Sequence, residues 1–277
     1  MMYSKVYVEI TNRCNQNCSF CPGTTRLPKR LSMEEFQIIV EKLKGLTKYL
    51  YLHVMGEPLT HPLLIEFIRY ATEQGFFVAI TTNGTLLKKR GQELLNSGVY
   101  KVNISVHSFE HGTDEEYQSY ISDCISFADM ASKQNILTVL RLWNRGFDEG
   151  RNIDIAKQLE NYFTEPWYIG SRGARIRPKL HLEYGERFEW PDLAKEEKGS
   201  NVFCYGLKDH FGILCDGRVI PCCLDREGVI TLGNVFENSL EEILSTKRAI
   251  CMKKGFQKRQ ATEELCRKCG YATRSKE

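Results

Sequence analysis

The stretch Val6-Tyr7-Val8-Glu9-Ile10-Thr11-Asn12-Arg13-Cys14-Asn15-Gln16-Asn17-Cys18-Ser19-Phe20-Cys21 decides the reading of this chain. It opens with alternating apolar residues over a strand's length, 6–10, and turns polar at Thr11. The polar loop then delivers three thiols, Cys14, Cys18 and Cys21. Iron–sulfur clusters are commonly held by four cysteines, and the next thiol, Cys124, lies far along the chain. Three thiolates leave one metal position open for a substrate or cofactor. A structural zinc site completed by a distant histidine fits poorly, because structural zinc takes a closed set of four ligands.

Outward from this loop, short apolar runs alternate with helical patterns. Strands are expected at 6–10, 49–55, 76–81, 102–106, 136–142 and 174–182. Ser32 opens the first helix with Glu35 three residues on, a capping box, and Met33, Phe36, Val40 and Leu43 form its stripe. Further helical patterns follow Pro62, Leu86, Asp114 and Ile153. Six βα repeats imply a parallel sheet, and right-handed crossovers curve it. The expected fold is α/β, a partial (βα)6 TIM-like barrel. Ligands then bind beyond the carboxyl ends of the strands, where the three-cysteine loop sits.

After Trp190-Pro191 the character changes. Residues 192–200 are charged and aperiodic, a boundary between 1–191 and a small cysteine-rich unit at 192–277. Asp216-Gly217 signals a hairpin, and Ser239 with Glu242 makes another capping box. Eleven cysteines in short, clustered spacings read as metal ligation in a reducing compartment. A net charge of +3 is too small to imply nucleic acid, and Arg26, Lys29 and Arg30 read as a solvated loop. No apolar run spans a bilayer and no secretory signal opens the chain, so the cytoplasm is expected, with no membrane partner.

Cys14-x3-Cys18-x2-Cys21 after a first strand, with Phe20 before the last thiol, closely resembles the radical S-adenosylmethionine (radical SAM) enzymes. The resemblance implies a [4Fe–4S] cluster on the three cysteines and S-adenosylmethionine on the fourth iron. One-electron reduction would yield a 5′-deoxyadenosyl radical, with Phe20 packed near the adenine. Met55-Gly56-Glu57-Pro58 resembles the family's Gly-Gly-Glu-Pro motif, with Met55 in place of the first glycine. The motif implies that backbone carbonyls and the Glu57 carboxylate accept bonds from the methionine ammonium. Thr81-Thr82-Asn83-Gly84 looks like the family's Thr-Asn-Gly turn. By the same resemblance Ser105 contacts the cofactor, Arg141 pairs with its carboxylate and Asn144 bonds its ribose.

Cys204, Cys222 (with Cys223 as the alternative), Cys266 and Cys269 resemble the SPASM or twitch extension of that family, which implies one auxiliary [4Fe–4S] cluster. Structural zinc on four thiolates is the other reading of this set. Cys124, Cys215 and Cys251 read as packing residues. His107, His181 and Glu183 are candidates for a catalytic base facing the cavity, with Arg177, Lys179 and Tyr184 also placed there.

The resemblance implies a two-electron oxidation of a substrate C–H, with the auxiliary cluster taking the second electron, as in twitch-type dehydrogenases. The substrate is a small molecule or a peptide, and a flavodoxin- or ferredoxin-type protein is the expected donor. A peptide maturase is the alternative, disfavoured because few residues precede the first strand. A non-catalytic iron–sulfur or zinc protein is the alternative of another class.

Overall fold

The computed structural model describes residues 2–272. Five parallel strands lie side by side in sequence order: β1 (Lys5–Val8), β2 (Tyr49–Tyr51), β3 (Phe77–Thr82), β4 (Lys101–Ser105) and β5 (Leu137–Arg145). Between and after them run α1 (Met33–Leu43), α2 (Leu64–Glu73), α3 (Leu87–Leu95), α4 (Asp114–Lys133) and α5 (Arg151–Tyr162). The Ser32–Glu35 capping box is formed, and Thr113 with Glu116 forms another at α4.

The sixth parallel strand differs from the expected one. Residues 174–182 do not run straight. The chain forms β6 (Tyr168–Gly170) and β7 (Gly173–Arg177), then turns back into β8 (Leu180–Glu186). Strand β7 is antiparallel to β8, and β8 is parallel to β5. Pro178 lacks a ladder N–H, and Lys179 takes a left-handed φ of 66°. Both residues suit the reversal.

The tail joins the same sheet. Strand β9 (His210–Ile213) pairs in parallel with β1, Lys5 opposite His210 and Val8 opposite Ile213. Strands β10 (Arg218–Ile220) and β11 (Gly233–Asn234) continue antiparallel, giving an eleven-stranded sheet. Helices α6 (Leu240–Leu244), α7 (Lys247–Gln257) and α8 (Glu264–Arg267) pack in the tail. Among the described residues no helix is long and apolar enough to cross a membrane.

Alternation along the strands sorts the two faces of the sheet. Val6, Val8, Leu50, Val78, Ile80 and Val102 are fully buried in the core with Phe36 and Phe67 of the helices. Burying each such side chain contributes about 1.5–3 kcal/mol. The opposite positions carry Lys5, Tyr7, Tyr51, Thr81, Asn103 and Arg141. A closed barrel fills its interior with branched apolar residues. Here the inner face is polar and aromatic, which is the composition of a site and not of a core.

Candidate active site

The strand ends are tied together by two buried carboxylates. Glu9, just past β1, takes a forked pair of bonds from Arg26 at 2.6 and 2.7 Å. It also accepts the backbone N–H groups of Met55 and Cys215 at 3.2 and 3.1 Å. The first strand, the cysteine loop, the Gly-Glu-Pro turn and the tail therefore meet on one side chain. Arg26, expected in a solvated loop, is only 8% exposed. Its guanidinium suits this forked geometry.

Glu57 is the second carboxylate. It caps the short 3-10 turn Pro58–Thr60 through Leu59 N–H at 3.0 Å. It also accepts Thr82 Oγ1 and Asn83 N–H, each at 2.7 Å. Burial pushes its carboxyl up to about 7, against the pull of these three donors. The carboxylate is thus spent inward, holding the end of β3, and does not reach out of the loop. Gly56 has a φ of 76°, and a Cβ there would stand 2.5 Å from the Thr11 carbonyl oxygen. Only glycine lets this turn lie against the strand that leads to the cysteines.

Asn83 carries the bracket to the thiols. Its Nδ2 donates to Asn15 Oδ1 at 2.9 Å and approaches Cys14 Sγ at 3.9 Å. The Tyr120 hydroxyl donates to the Asn83 carbonyl at 2.7 Å. Cys18 Sγ lies 3.5 Å from the Ser108 carbonyl, and burial raises its thiol to about 12. Glu110 accepts from Ser19 and adds to that shift. Phe20 packs on His107 with ring centroids 4.9 Å apart. Phe20, His107 and Asn144 share a cavity of about 240 Å³ beside the cysteine loop.

Two family models match the chain. The Radical SAM superfamily model covers residues 8–142, and the SPASM model, an iron–sulfur cluster-binding domain, covers 204–270. The chain belongs to the radical SAM superfamily. A GTP 3′,8-cyclase of Aquifex aeolicus is 29% identical over 268 residues, 80% of this chain and 82% of that protein. A PqqA peptide cyclase of Rhodopseudomonas palustris is 31% identical over 261 residues, 78% of this chain and 66% of that protein. The match to other curated relatives is shorter: the chain spans 33% and 60% of two of them. In fold it is similar to BtrN, solved in complex with AdoMet and 2-DOIA, with a TM-score of 0.65 and 18% identity over 97% of this chain and 93% of that one.

As a radical SAM protein with a SPASM domain, its cofactors are S-adenosylmethionine and [4Fe–4S] clusters, one of them auxiliary. The residues fit these groups. None of the eleven cysteines is in a disulfide among the described residues. Cys204, Cys222, Cys266 and Cys269 lie within one another's electrostatic reach. Burial and this mutual proximity hold the Cys222 and Cys266 thiols high, and burial raises Cys204 to about 11. Only bound metal would stabilise such a set as thiolates. Among the described residues no three His, Cys, Asp or Glu converge on a single-ion site. The iron–sulfur assignment of this set rests on the SPASM match over 204–270. Cys223 lies within reach of the same group and also bonds the Tyr7 hydroxyl.

Other radical SAM candidates separate. His107 sits in the cofactor-side cavity, its Nδ1 3.0 Å from the Arg141 carbonyl. His181 and Glu183 line a different cavity of about 490 Å³ on the inner face. Ser105 ends β4 opposite Arg141 in the register. The Arg141 guanidinium lies 4.5 Å over the Trp143 ring and 3.5 Å from Glu183. Arg177 bonds Asp129 and Ser132 on α4. Cys124 and Cys215 are core residues, but Cys251 is exposed, because the buried stripe of α7 is Ala249, Met252 and Phe256. Glu9 and Tyr120 went unread in the sequence. A carboxylate ending an apolar strand was the available signal for the first, and the second had none.

Proposed function

We propose that this chain cleaves S-adenosylmethionine reductively and takes a hydrogen atom from a substrate C–H, completing a two-electron oxidation of a small polar molecule. The cofactors supply the one-electron chemistry that no side chain can supply. Cys14, Cys18 and Cys21 hold the cleaving cluster, and Asn83 orients Cys14. Glu57 acts as a positioning residue, fixing Asn83 from behind. Phe20 and His107 wall the adenine, and Asn144 bonds the ribose. Ser105 and Arg141 border the path from cofactor to substrate. Cys204, Cys222, Cys266 and Cys269 would hold the auxiliary cluster, which would supply an acceptor for the second electron. Glu183 or His181 takes the proton released when the substrate carbon is oxidised. The functional units are 1–191 and 192–277, the electron donor is of the flavodoxin or ferredoxin type, and the cytoplasm is the compartment.

The observation that carries this reading is the cavity beside the cysteine loop, lined by Phe20, His107 and Asn144. The similarity to a PqqA peptide cyclase favours one second reading, in which the substrate is a peptide. The test is anaerobic reconstitution to about eight irons per chain, two four-iron clusters, followed by dithionite and S-adenosylmethionine. Formation of 5′-deoxyadenosine is expected. Its absence from fully iron-loaded protein sinks the enzyme reading.

A further inference from the structure

The inner face of the sheet carries polar atoms that folding leaves unanswered. His53 Nδ1, Asn103 Oδ1, Trp143 Nε1 and His210 Nδ1 are buried and make no hydrogen bond. They come from β4, β5, β9 and the residues after β2. Asn103 is fully buried, and its Nδ2 bonds Thr81, whose hydroxyl lies 3.2 Å from His53 Nε2. Each unsatisfied buried polar group costs about 1–3 kcal/mol. Four of them on the strands of one sheet face mark polar groups that a polar ligand could answer.

The charge on this face is uneven. Lys5 Nζ stands 5.6 and 5.3 Å from the Tyr7 and Tyr51 ring centroids. Lys101 and Arg175 line the cavity of about 490 Å³ together with Glu183. Glu183 answers Arg141, and Asp209 accepts from Ser4. Among the described residues no carboxylate lies in ion-pair contact with Lys5, Lys101 or Arg175. Burial lowers the Lys101 ammonium, Arg141 and Lys5 lower it further, and Glu183 pulls it back up in part. His53 is pushed down to about 3 by burial, with Arg141, Lys5 and Lys101 adding to the shift. One shared positive field therefore fills the space, and the neutral histidines bring acceptors and donors without adding charge.

We propose that this inner face binds a small anionic substrate through its phosphate or carboxylate oxygens, with Lys5, Lys101 and Arg175 as the anion-binding groups. The inference rests on the radical SAM oxidation proposed above and names the substrate class for it. A cleft lined by cations with low-dielectric walls concentrates such a ligand. The aromatic rings of Tyr7 and Tyr51 and the unpartnered ring nitrogens then contact its carbon skeleton and hydroxyls. The arrangement disfavours a cationic substrate, which would meet Lys5 and Lys101 with only Glu183 to receive it.

Calorimetric titration of the cluster-loaded protein, saturated with S-adenosylmethionine, tests this with three probes: inorganic pyrophosphate, citrate and neutral myo-inositol. Pyrophosphate or citrate binds, more weakly as salt rises, and myo-inositol does not. Lys101→Gln and Lys5→Gln each weaken the anion by about tenfold, the size of one lost charge-assisted bond. Lys101→Arg retains binding. Circular dichroism and melting of each variant show that it is folded. Equal binding of myo-inositol, loss of anion binding on saturation with S-adenosylmethionine, or unchanged affinity in the folded lysine variants overturns the inference. The same samples are assayed for 5′-deoxyadenosine. Protein that forms it yet ignores both anions breaks this inference alone, and protein that binds anions yet forms none breaks only the enzyme reading.

Discussion

The two cysteine sets of this chain differ in what surrounds them. Cys14 is exposed and Cys18 and Cys21 are half-buried, on a polar loop held by Asn83, Ser108 and Glu110. Cys204, Cys222 and Cys266 are half-buried too, but Cys269 belongs to the hydrophobic core, and Cys204 and Cys266 pack against that core. A set on a solvent-facing loop leaves a ligand position reachable. A set embedded in core residues closes around its metal and shares its binding energy with folding. On the proposed assignment, the first set would carry the cofactor-cleaving cluster and the second would be the one on which folding depends more.

The sharpest way to break that contrast is to remove one thiol from each set. Cys222→Ala is expected to lose about four of about eight irons and more than about 4 kcal/mol of stability, the range that lost metals reach. Cys18→Ala is expected to lose the same iron and all 5′-deoxyadenosine formation. Its folding midpoint should stay within about 0.5 kcal/mol, as for a substitution outside the core. Iron counting and chemical denaturation read both variants. Equal stability losses would end the distinction between an open and a closed set.

The next effect concerns the joint between the regions. Glu9 is fully buried, and Arg26 is its ionic partner. Arg26→Met leaves the carboxylate buried without its cation, which costs about 3–5 kcal/mol. Because Glu9 also holds Met55 and Cys215, the loss should loosen both sets together. Hydrogen exchange that rises in the cysteine loop but not around Cys215 would show the joint to be local.

The legible parts of this molecule were the local ones. A metal-ligand spacing lies within a few residues, so Cys14, Cys18 and Cys21 were readable. So were the capping boxes at Ser32 and Ser239, which need only three-residue offsets. The strand expected at 174–182 was misread because apolar alternation runs on through Pro178-Lys179 while the backbone reverses. The pairing of β9 with β1 left no trace, because parallel partners need no local turn between them. Arg26 looked like loop charge because its partner, Glu9, sits across the cysteine loop. The inward spending of Glu57 was hidden for the same reason: its donors come from β3 and the residue after it. What sequence hides here is which polar groups answer one another across the sheet ends.

Glu57 gives the finest test of the contrast, because it stiffens the open set without touching a thiol. Its two oxygens accept three donors. Glu57→Gln keeps one acceptor oxygen and turns an NH₂ toward a donor, which costs about 1–3 kcal/mol. The pH dependence has a definite sign. Burial raises the folded carboxyl to about 7, above its ordinary value of 4.5. A carboxyl raised on folding contributes stability fully below its unfolded pKa and loses it as pH rises through the folded one. The gap between the wild type and the glutamine variant should therefore be widest near pH 4.5 and narrow toward pH 7. Denaturation of both proteins across that window measures it. A gap that widens with pH would mean that the three donors outweigh burial and keep the carboxylate charged. Glu57 would then stiffen the cysteine loop as a fixed anion, and the open set would owe its geometry to charge as much as to hydrogen bonds.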